Sequence, residues 1–449
     1  MAEITEQSVD LAQMGQNIPV FRINLSLPPI ERYVALATLY RDRMRALRGM
    51  FDELIKSINP KIPVQLIHKL AWLCLRRLHT RDETEELRGI SRATDIDIYL
   101  LICLNTVLDL LMGCTSGGVR VCSSASGTRM LHFRTLDWGM DPLRDLIVQL
   151  EFVRDADPEK VIATSITYVG FVGVLTGVRQ DLSVSLNFRP VHDTTRNYAF
   201  YANHLFVLLG LRQSISSLLR QCILLPTSEA HHKKPLFTTL ADIVANVPGI
   251  PTTAAYLIFS DGSSTVAMEK DHRTAVVRSS SSFIVATNHD QEEDSTPPET
   301  VADAKRKNHV GLTLVSDGMQ VMADLVEDSN VRRDCMQSKW DHEVRKRKAV
   351  ADQLPSKRSR ILAEPSGSRS SLRLRKLREE EQIEVEAEQK RIAALNMDDG
   401  SDIAIKEGRV VDWLASYPVL NECTHYATIM DPSKGNVAWA RRYDTSEWD

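Results

Sequence analysis

The apolar residues of the chain change their spacing at Cys114. Up to that point they recur at three- and four-residue steps, as in helices, over four stretches: 31–59, 63–79, 82–96 and 98–112. From Cys114 onwards the chain turns to short alternating segments separated by glycine, proline or charged turns, which is typical of strands. Helical spacing returns at 203–223 and around 238–246, and strand patterns return between 253 and 287. Helices, strands, helices and strands in this order predict an α+β protein built of packed layers.

The composition limits the class of protein. The chain has 449 residues, 43% of them hydrophobic, so it can bury a large core. Its net charge of −4 gives no global reason to expect nucleic acid as a partner. No apolar run is long enough to cross a bilayer, and the polar start lacks the apolar region of a secretory signal. Seven cysteines without a CxxC motif predict reduced thiols, and therefore an intracellular, cytoplasmic protein.

Two segments fall outside the layered pattern. Residues 1–19 form a polar tail, and residues 337–408 form a charged insertion with too few apolar residues for a packed core. The insertion contains RKRK (345–348) and KRSR (357–360), a spacing that resembles a bipartite nuclear-localisation signal. A solvated charged loop explains the same residues, so the nucleus stays open as a second compartment.

The sequence DLLMGCTSGGVRV, from Asp109 to Val121, places a cysteine between a helical run and a strand. A lone cysteine at such a boundary is usually a small packed residue. Further polar residues follow in the order found in an N-terminal-nucleophile amidohydrolase: Arg134 and Asp137 in HFRTLDW, Asn288 in TNHD and Arg332 in NVRRD. Each also has an ordinary explanation, as a strand-end ion pair, a turn residue and surface charge respectively. The sequence does not separate Arg332 from its neighbour Arg333.

In this order the motifs resemble the acid ceramidase and N-acylethanolamine-hydrolysing acid amidase family, within the choloylglycine-hydrolase-like N-terminal-nucleophile hydrolases. The likeness runs through FRINLSLPPIERY, ELRGISRATDI, GCTS, HFRTLDWGM, GFVGVLTGV, SLNFRP, TNHD and YPVLNECTHYATIMDPSKG. It covers nearly the whole chain apart from the tail and the insertion. The resemblance implies an αββα sandwich preceded by a mainly helical region.

The resemblance also implies a precursor that is cleaved between Gly113 and Cys114. Residues 20–113 then become a mainly helical α-subunit, and residues 114–449 become a β-subunit with the catalytic core, interrupted by the insertion. A thiol held against its own preceding carbonyl can take the acyl group, and hydrolysis of the thioester frees the α-amine of Cys114. That amine, with an ordinary pKa of roughly 7.7–8, can act as the base for its own thiol, so no histidine is needed.

Carried over from the family, the roles of the polar residues are as follows. Cys114 is the nucleophile, Asp137 holds the new amino group, and Arg134 orients and polarises the thiol. Asn288 donates to the oxyanion that develops on the amide carbonyl, and Arg332 supports the same network.

Three further positions are expected to contact the oxyanion or the substrate, namely Thr176, Gly177 and Asn187. Next to them, Phe188 stands where the ceramidase-like pattern has an acidic residue, which puts polar substrate contacts in doubt. No cofactor is expected. Zinc is unsupported because His231 and His232 are adjacent, lack ligand spacing and have no cysteine cluster beside them.

Cys122, in CSSASG, is a rival nucleophile. If it began the strand, only three residues would precede the ASG turn, too few to pair with RMLHFRTLDW. A strand that begins at Cys114 provides TSGGVRV as the partner. Cys114 is therefore assigned as the nucleophile, and Cys122 is placed near the hairpin tip.

The leading interpretation is a cysteine amidohydrolase that acts on N-acylated lipids. Ceramide, cleaved to fatty acid and sphingosine, and N-acylethanolamine are the two substrates that the family suggests. The rivals are an amidase for bile-salt or penicillin-type amides and a non-catalytic scaffold whose basic insertion binds a partner. The expected partners are the lipid amide and the two fragments of the chain, joined as a heterodimer.

Overall fold

The computed structural model describes residues 17–58, 63–107, 113–123, 127–155, 157–190, 198–225, 237–291, 318–353 and 403–447. Most of the predicted tail, the histidine pair at 231–232 and the central part of the predicted insertion, including KRSR, lie outside these residues. Within them the helices are α1 (Val34–Leu39), α2 (Arg41–Met44), α3 (Leu47–Ile58), α4 (Val64–Cys74), α5 (Arg81–Thr94), α6 (Ile98–Val107), α7 (Tyr198–Leu208), α8 (Ile215–Ile223), α9 (Leu240–Asn246), α10 (Gly318–Gln353) and α11 (Glu407–Leu414).

The strands follow the alternating segments of the sequence. They are β1 (Val20–Asn24), β2 (Gly113–Ser123), β3 (Gly127–Asp137), β4 (Ile147–Val153), β5 (Ala163–Tyr168), β6 (Thr176–Arg179), β7 (Leu182–Phe188), β8 (Ala255–Ser260), β9 (Thr265–Lys270), β10 (Ala275–Ser280), β11 (Phe283–Ala286), β12 (Ile405–Lys406), β13 (Thr424–Asp431) and β14 (Asn436–Arg442). The predicted hairpin that begins at the GCTS junction is therefore confirmed.

In the described part of the chain the strands form two sheets. The first sheet has the order β1-β4-β5-β6-β7-β8-β9-β10, and β1 joins it in parallel to β4. The second sheet has the order β11-β2-β3-β13-β14, with the short β12 added in parallel to β2. The GCTS junction therefore begins an inner strand of the second sheet.

Helices cover the outer face of each sheet, and the inner faces meet. Helices α5, α6, α8 and α9 pack with strands β4, β5, β7 and β8 in one buried cluster. Helices α10 and α11 pack on the second sheet through Met336, Trp340 and Trp413. Between the sheets, the Ser116 hydroxyl on β2 donates to Asn187 Oδ1 on β7 at 2.7 Å. The predicted α+β class and its αββα layering are confirmed.

Two glycines let the second sheet approach its neighbours. A Cβ atom at Gly117 would lie 2.1 Å from the Ile284 carbonyl oxygen on β11. A Cβ atom at Gly118 would lie 2.0 Å from Thr265 Oγ1 on β9 of the first sheet. Neither distance is compatible with a side chain, so the two glycines after the cysteine are required by close packing.

The helical stretches are more broken than their spacing predicts. The helical stretch predicted over 31–59 is confirmed, but it is divided into α1, α2 and α3. Between α2 and α3 the amides of Ala46 and Arg48 donate to carbonyls three residues back, and Arg41 Nε donates to the Ala93 carbonyl at 2.6 Å. The block predicted at 203–223 divides into α7 and α8 at Gly210, which has a φ of +66°.

Helix α10 overlaps the start of the predicted insertion at 337–408. It continues to Gln353, and Trp340 is buried against the second sheet. Beyond it, Arg345 to Arg347 are exposed on the same helix. At the other end, residues 403–408 contain β12 and the start of α11.

A buried ion pair joins the N-terminal helices to the part of the chain after Cys114. The acidic member of the pair is Glu86 on α5, which is fully buried. Helix α5 begins after Thr80, whose side chain accepts a hydrogen bond from the Glu83 amide. Both Glu86 carboxylate oxygens accept hydrogen bonds from Arg220 on α8, at 2.5 and 2.7 Å. Because Glu86 and Arg220 compensate each other, both charges can lie in the interior. The pair therefore links the helices before Cys114 to α8, which comes after it.

His132 is a buried polar link between the two sheets. Its Nδ1 lies 2.9 Å from Ser183 Oγ, and its Nε2 lies 2.8 Å from Ser185 Oγ. Burial lowers the pKa of His132 to about 3, so the imidazole is neutral in the folded protein at neutral pH. Neutral imidazole satisfies both serines, whereas a charged ring would stand between the sheets without a counter-ion.

We therefore expect acid to destabilise the fold through His132. In the unfolded chain this histidine has a pKa near 6.5, so below that pH the unfolded state binds a proton that the folded state excludes. His132 should therefore contribute about 1.4 kcal/mol per pH unit to the fall in the free energy of unfolding as the pH drops from about 6.5 towards 3, beside the contributions of His289 and His425, whose pKa values burial also lowers. Urea unfolding at a series of pH values measures the slope. His132→Asn should reduce the slope by about that amount, whereas His79→Asn, at an exposed histidine, should not; equal slopes in all three proteins would contradict the assignment.

Candidate active site

The register of β2 and β3 decides which side of the sheet each polar side chain occupies. Gly113 pairs with Asp137, Cys114 with Leu136, and Ser116 with Arg134. Because directly opposed residues share a face, Cys114 and Arg134 point towards the first sheet. Asp137 points the other way, towards α10. The two charged residues predicted from HFRTLDW therefore lie on opposite faces, and they are not the ion pair that was the alternative explanation.

The sulfur of Cys114 lies beside the Arg134 guanidinium. The Sγ atom is 3.3 Å from Arg134 Nη2 and 3.8 Å from the Leu186 carbonyl oxygen. The same Nη2 donates to the Leu186 carbonyl at 2.8 Å, and Nη1 donates to the carbonyl of Leu175. Backbone carbonyls of the first sheet thus fix the guanidinium against the thiol, and both side chains are fully buried.

Burial raises the pKa of the Cys114 thiol above its ordinary value. The nearby Arg134 guanidinium acts in the opposite direction, because it stabilises the thiolate, but burial has the larger effect. At neutral pH the intact chain therefore holds a neutral thiol. A reaction at this sulfur needs a nearby group that takes its proton.

The backbone nitrogen of Cys114 is held by Asn288. The amide donates to Asn288 Oδ1 at 2.8 Å, and Asn288 Nδ2 donates to the Phe188 carbonyl at 2.8 Å. The Asn288 amide donates to Ser329 Oγ on α10 at 2.6 Å, which fixes the loop after β11. The resemblance implies that Asp137 holds this nitrogen after cleavage; in the intact chain Asn288 contacts it.

Arg332 connects Asn288 to Asp137 from the α10 side. Its Nη1 lies 2.5 Å from Asp137 Oδ2, and its Nη2 donates to Asn288 Oδ1 at 3.1 Å. It also donates to Thr115 Oγ1 at 3.4 Å and is only 3% exposed. Arg333 instead pairs with its neighbour Asp334 near the surface. The structure thus shows that Arg332, and not Arg333, belongs to the buried network, a choice that the sequence left open.

The expected oxyanion and substrate positions lie on β6 and β7. The Thr176 hydroxyl is 2.7 Å from Tyr426 OH, and Gly177 pairs with Ser165 on β5 and with Val184 on β7. Their link to the sulfur runs through the preceding Leu175, whose carbonyl accepts from Arg134. The hydrogen-bond partners of the Cys114 thiol are the Leu186 carbonyl and Arg134, and not Thr176 or Gly177.

Asn187 lies between the sheets beside the cysteine strand. Its Oδ1 accepts from the Ser116 hydroxyl, and its Nδ2 donates to the carbonyls of Ala286 and Thr287 at 3.1 and 3.3 Å. Both of its polar atoms are occupied by the protein. Asn187 therefore joins β2, β7 and β11 around the site.

Several groups at the site were not found from the sequence. Thr424 on β13 donates to Asp137 Oδ1 at 2.7 Å, and Ser329 on α10 supports Asn288. The carbonyls of Leu175 and Leu186 carry no sequence signal, because every residue has one. Thr424 does lie within the matched stretch NECTHYATIMD, although a threonine in a strand has no chemical signature of its own.

Cys122 lies near the far end of the same hairpin. It pairs with Thr128 across the hairpin, and its Sγ lies 3.8 and 3.6 Å from the carbonyls of Ala404 and Ile405. These contacts hold β12 against β2.

Among the described residues, no group of histidine, cysteine, aspartate and glutamate side chains could hold a metal ion.

Sequence comparisons relate the chain to known amidases. A family model described as the beta subunit of N-acylethanolamine-hydrolyzing acid amidase matches residues 16–79. Human acid ceramidase is 28% identical over 191 residues, which are 38% of this chain and 46% of that enzyme. The chain thus spans about half the length of the acid ceramidases that it matches. Uncharacterized protein R632 of Acanthamoeba polyphaga mimivirus is 23% identical over 314 residues, 69% of this chain and 90% of that protein.

The comparison with solved structures returned a Caenorhabditis elegans N-acylethanolamine-hydrolyzing acid amidase (NAAA) ortholog. It is 18% identical, with a TM-score of 0.37, and the match covers 71% of this chain and 93% of that one. The sequence matches relate the chain to N-acyl amide hydrolases. In particular, they confirm the predicted resemblance to the acid ceramidase and N-acylethanolamine-hydrolysing acid amidase family.

None of the described helices is both long and apolar enough to cross a membrane.

The adjacent arginines provide a matched test of the buried network. Arg332→Gln leaves the Asp137 carboxylate buried without its cation, so we expect the free energy of unfolding to fall by about 3–5 kcal/mol. Arg333→Gln removes a surface pair and should change it by less than about 0.5 kcal/mol. Urea unfolding of both variants beside the unmodified chain measures the difference. Similar losses in the two variants would mean that the Arg332–Asp137 pair contributes no more than a surface pair.

Proposed function

We propose that this chain is a cysteine amidohydrolase that first cleaves itself between Gly113 and Cys114 and then hydrolyses N-acylated lipids. The observation that carries the proposal is that both the backbone nitrogen and the sulfur of Cys114 are held by polar side chains. The backbone nitrogen of Cys114 lies 2.8 Å from Asn288 Oδ1, while its sulfur lies 3.3 Å from Arg134 Nη2. A packing cysteine needs neither contact. An N-terminal nucleophile needs both, because its amine and its thiol react together.

The self-cleavage step uses the peptide bond before Cys114. The sulfur attacks the carbonyl carbon of Gly113, a C–S bond forms, the C–N bond breaks, and the thiol proton ends on the nitrogen of Cys114. Water then hydrolyses the thioester, which gives a carboxylate on Gly113 and restores the thiol. Asn288 favours this step, because its Oδ1 accepts a hydrogen bond from the departing nitrogen, and Arg332 fixes Asn288 by donating to the same oxygen.

Amide hydrolysis repeats this chemistry on a substrate. The free α-amine of Cys114 accepts the thiol proton, the thiolate attacks the acyl carbon, and the amine leaving group takes the proton as it departs. Water releases the fatty acid from the acyl-thioester. Arg134 beside the sulfur stabilises the thiolate, and Asn288 Nδ2, which contacts the Phe188 carbonyl in the intact chain, is the proposed donor to the oxyanion.

The substrate class is supported by the relatives. Acid ceramidases are among them, which points to ceramide, with N-acylethanolamine as the second candidate. Phe188 ends β7 after Asn187, and its carbonyl accepts from Asn288. Because side chains alternate along a strand, the Phe188 ring lies on the face of β7 opposite to the Asn187 side chain.

Contacts across the proposed cut would keep the two fragments together. β1 is paired along its length with β4, and Glu86 is paired with Arg220. Asn105 on α6 donates to the Gly170 carbonyl and accepts from the Val172 amide, both at 2.8 Å. The product of cleavage is thus expected to be a heterodimer with an unchanged interior.

Two cysteines of one strand allow a matched test of self-cleavage. The purified full-length protein should separate under denaturing conditions into two fragments, the larger beginning at Cys114. Cys114→Ala should abolish cleavage, because the attacking sulfur is gone. Cys122→Ala should still be cleaved like the unmodified chain. Intact-mass measurement and N-terminal sequencing locate the cut.

Hydrolysis of ceramide and of an N-acylethanolamine is then measured on the same preparations. Loss of both cleavage and hydrolysis in Cys114→Ala alone supports the proposal. Hydrolysis by a chain that stays whole would contradict the amine-assisted mechanism. A chain that stays whole and is inert towards both amides would favour the scaffold instead.

A further inference from the structure

A β-bulge interrupts β13 at the edge of the site. Thr424 pairs with Asp137 and Tyr426 pairs with Leu136, so two adjacent residues of β3 face two residues of β13 that are not adjacent. His425 is the extra residue without a partner across the strand pair. Bulges of this kind redirect side chains and are frequent beside active sites.

The bulge changes which faces of the sheet the flanking side chains reach. In a regular strand, Thr424 and Tyr426 would lie on the same face, because side chains alternate. Here Thr424 shares the face of Asp137, and Tyr426 shares the opposite face with Leu136 and Arg134. One short segment thus serves both sides of the sheet on which the site is built.

On the α10 face, Thr424 completes the surroundings of Asp137. Its hydroxyl donates to Oδ1 at 2.7 Å, while Arg332 Nη1 lies 2.5 Å from Oδ2. The carboxylate is buried, with 4% of the residue exposed, and each oxygen has its own partner. Thr424 therefore fixes the rotation of the carboxylate that Arg332 neutralises.

On the face towards the first sheet, Tyr426 contacts Thr176. The two hydroxyl oxygens are 2.7 Å apart, and both residues are fully buried. Thr176 follows Leu175, whose carbonyl accepts from Arg134. Tyr426 thus fixes the strand that holds the guanidinium against the Cys114 thiol.

His425 itself anchors the bulge. Its Nδ1 lies 2.8 Å from Tyr168 OH on β5, and its ring centroid is 6.3 Å from that of Trp138. The Trp138 amide donates to the Cys423 carbonyl at 2.7 Å, which ties the two strands just before the bulge. The irregularity is therefore held from both sides.

We propose that Thr424 is a positioning residue for the chemistry at Cys114, placed by the bulge at His425 so that it holds Asp137 in the orientation that Arg332 and Asn288 require. The inference rests on the proposed function, because it assigns Thr424 to the self-cleavage and hydrolysis reactions. Thr424 touches neither the sulfur nor the scissile bond. It acts through Asp137.

The test compares self-cleavage of the full-length chain in three variants. The chain is synthesised in a cell-free system and chased, and the fraction cleaved is followed with time. Thr424→Val keeps the shape and removes the donor, so cleavage should slow by about tenfold to a hundredfold. Thr424→Ser restores the hydroxyl and should come within about twofold of the unmodified rate. Thr94→Val removes an equally buried hydroxyl that donates to the Ile90 carbonyl on α5, and should also stay within about twofold.

The pH dependence separates positioning from general damage. Burial raises the pKa of Asp137, and the charges of Arg332 and Arg134 and the hydrogen bond from Thr424 oppose this rise. Loss of the hydroxyl in Thr424→Val should therefore raise the pKa of Asp137 further and shift the acidic limb of the rate profile to higher pH, whereas Thr424→Ser and Thr94→Val should leave the limb in place. Thermal melting of each variant controls for folding. If Thr424→Val does not fold, Thr424→Cys, of similar size but a weak donor, should show the same slowing and shift.

Two results would overturn the proposal. One is a Thr424→Val chain that cleaves at the unmodified rate with an unchanged profile. The other is equal slowing in Thr424→Val and Thr94→Val without rescue by serine, which would make the hydroxyl merely structural. If the unmodified chain neither cleaves nor hydrolyses amides, the proposed function fails first, and this inference fails with it.

Discussion

The antiparallel register of β2 and β3 is the constraint on which the rest of the site depends. It places Gly113 opposite Asp137 and Cys114 opposite Leu136, so the sulfur and the buried carboxylate face different layers of the sandwich. The buried thiol then lies beside Arg134 of the same sheet and the Leu186 carbonyl of the first sheet. The peptide nitrogen at the strand end meets Asn288 and, through it, Arg332 of α10. A slip of one residue would exchange these surroundings.

Charges can be buried here because other elements supply partners for them. Arg134 Nη1 and Nη2 donate to the carbonyls of Leu175 and Leu186, and Asp137 accepts from Arg332 on α10 and from Thr424 on β13. Removing one partner would leave an uncompensated charge in a dry interior, which costs more than the pair itself contributes. The four layers are thus joined at the place where the chemistry is proposed. Stability and site geometry depend on the same contacts.

Strand patterns and motif order were readable from the sequence, whereas contacts between distant layers were not. The hairpin at Cys114 follows from alternation and from the length of the segment before the ASG turn. The layered α+β class follows from the order of elements, whereas the αββα sandwich was implied by the family resemblance. The helical stretch over 31–59 is divided into three helices, and its apolar spacing did not mark the two breaks. Arg332 and Arg333 are neighbours of the same type, so only packing separates them. Thr424 became visible only through the bulge.

The most direct test of the central claim is to identify the atom that carries the acyl group during turnover. The cleaved protein is mixed with ceramide in detergent micelles, quenched in acid within one turnover, digested and examined by mass spectrometry. The account predicts that the peptide beginning at Cys114 is heavier by one fatty-acyl group on its thiol, and that hydroxylamine removes this group. Hydrolysis without an acyl group on Cys114, or with the acyl group on Cys122, would contradict it.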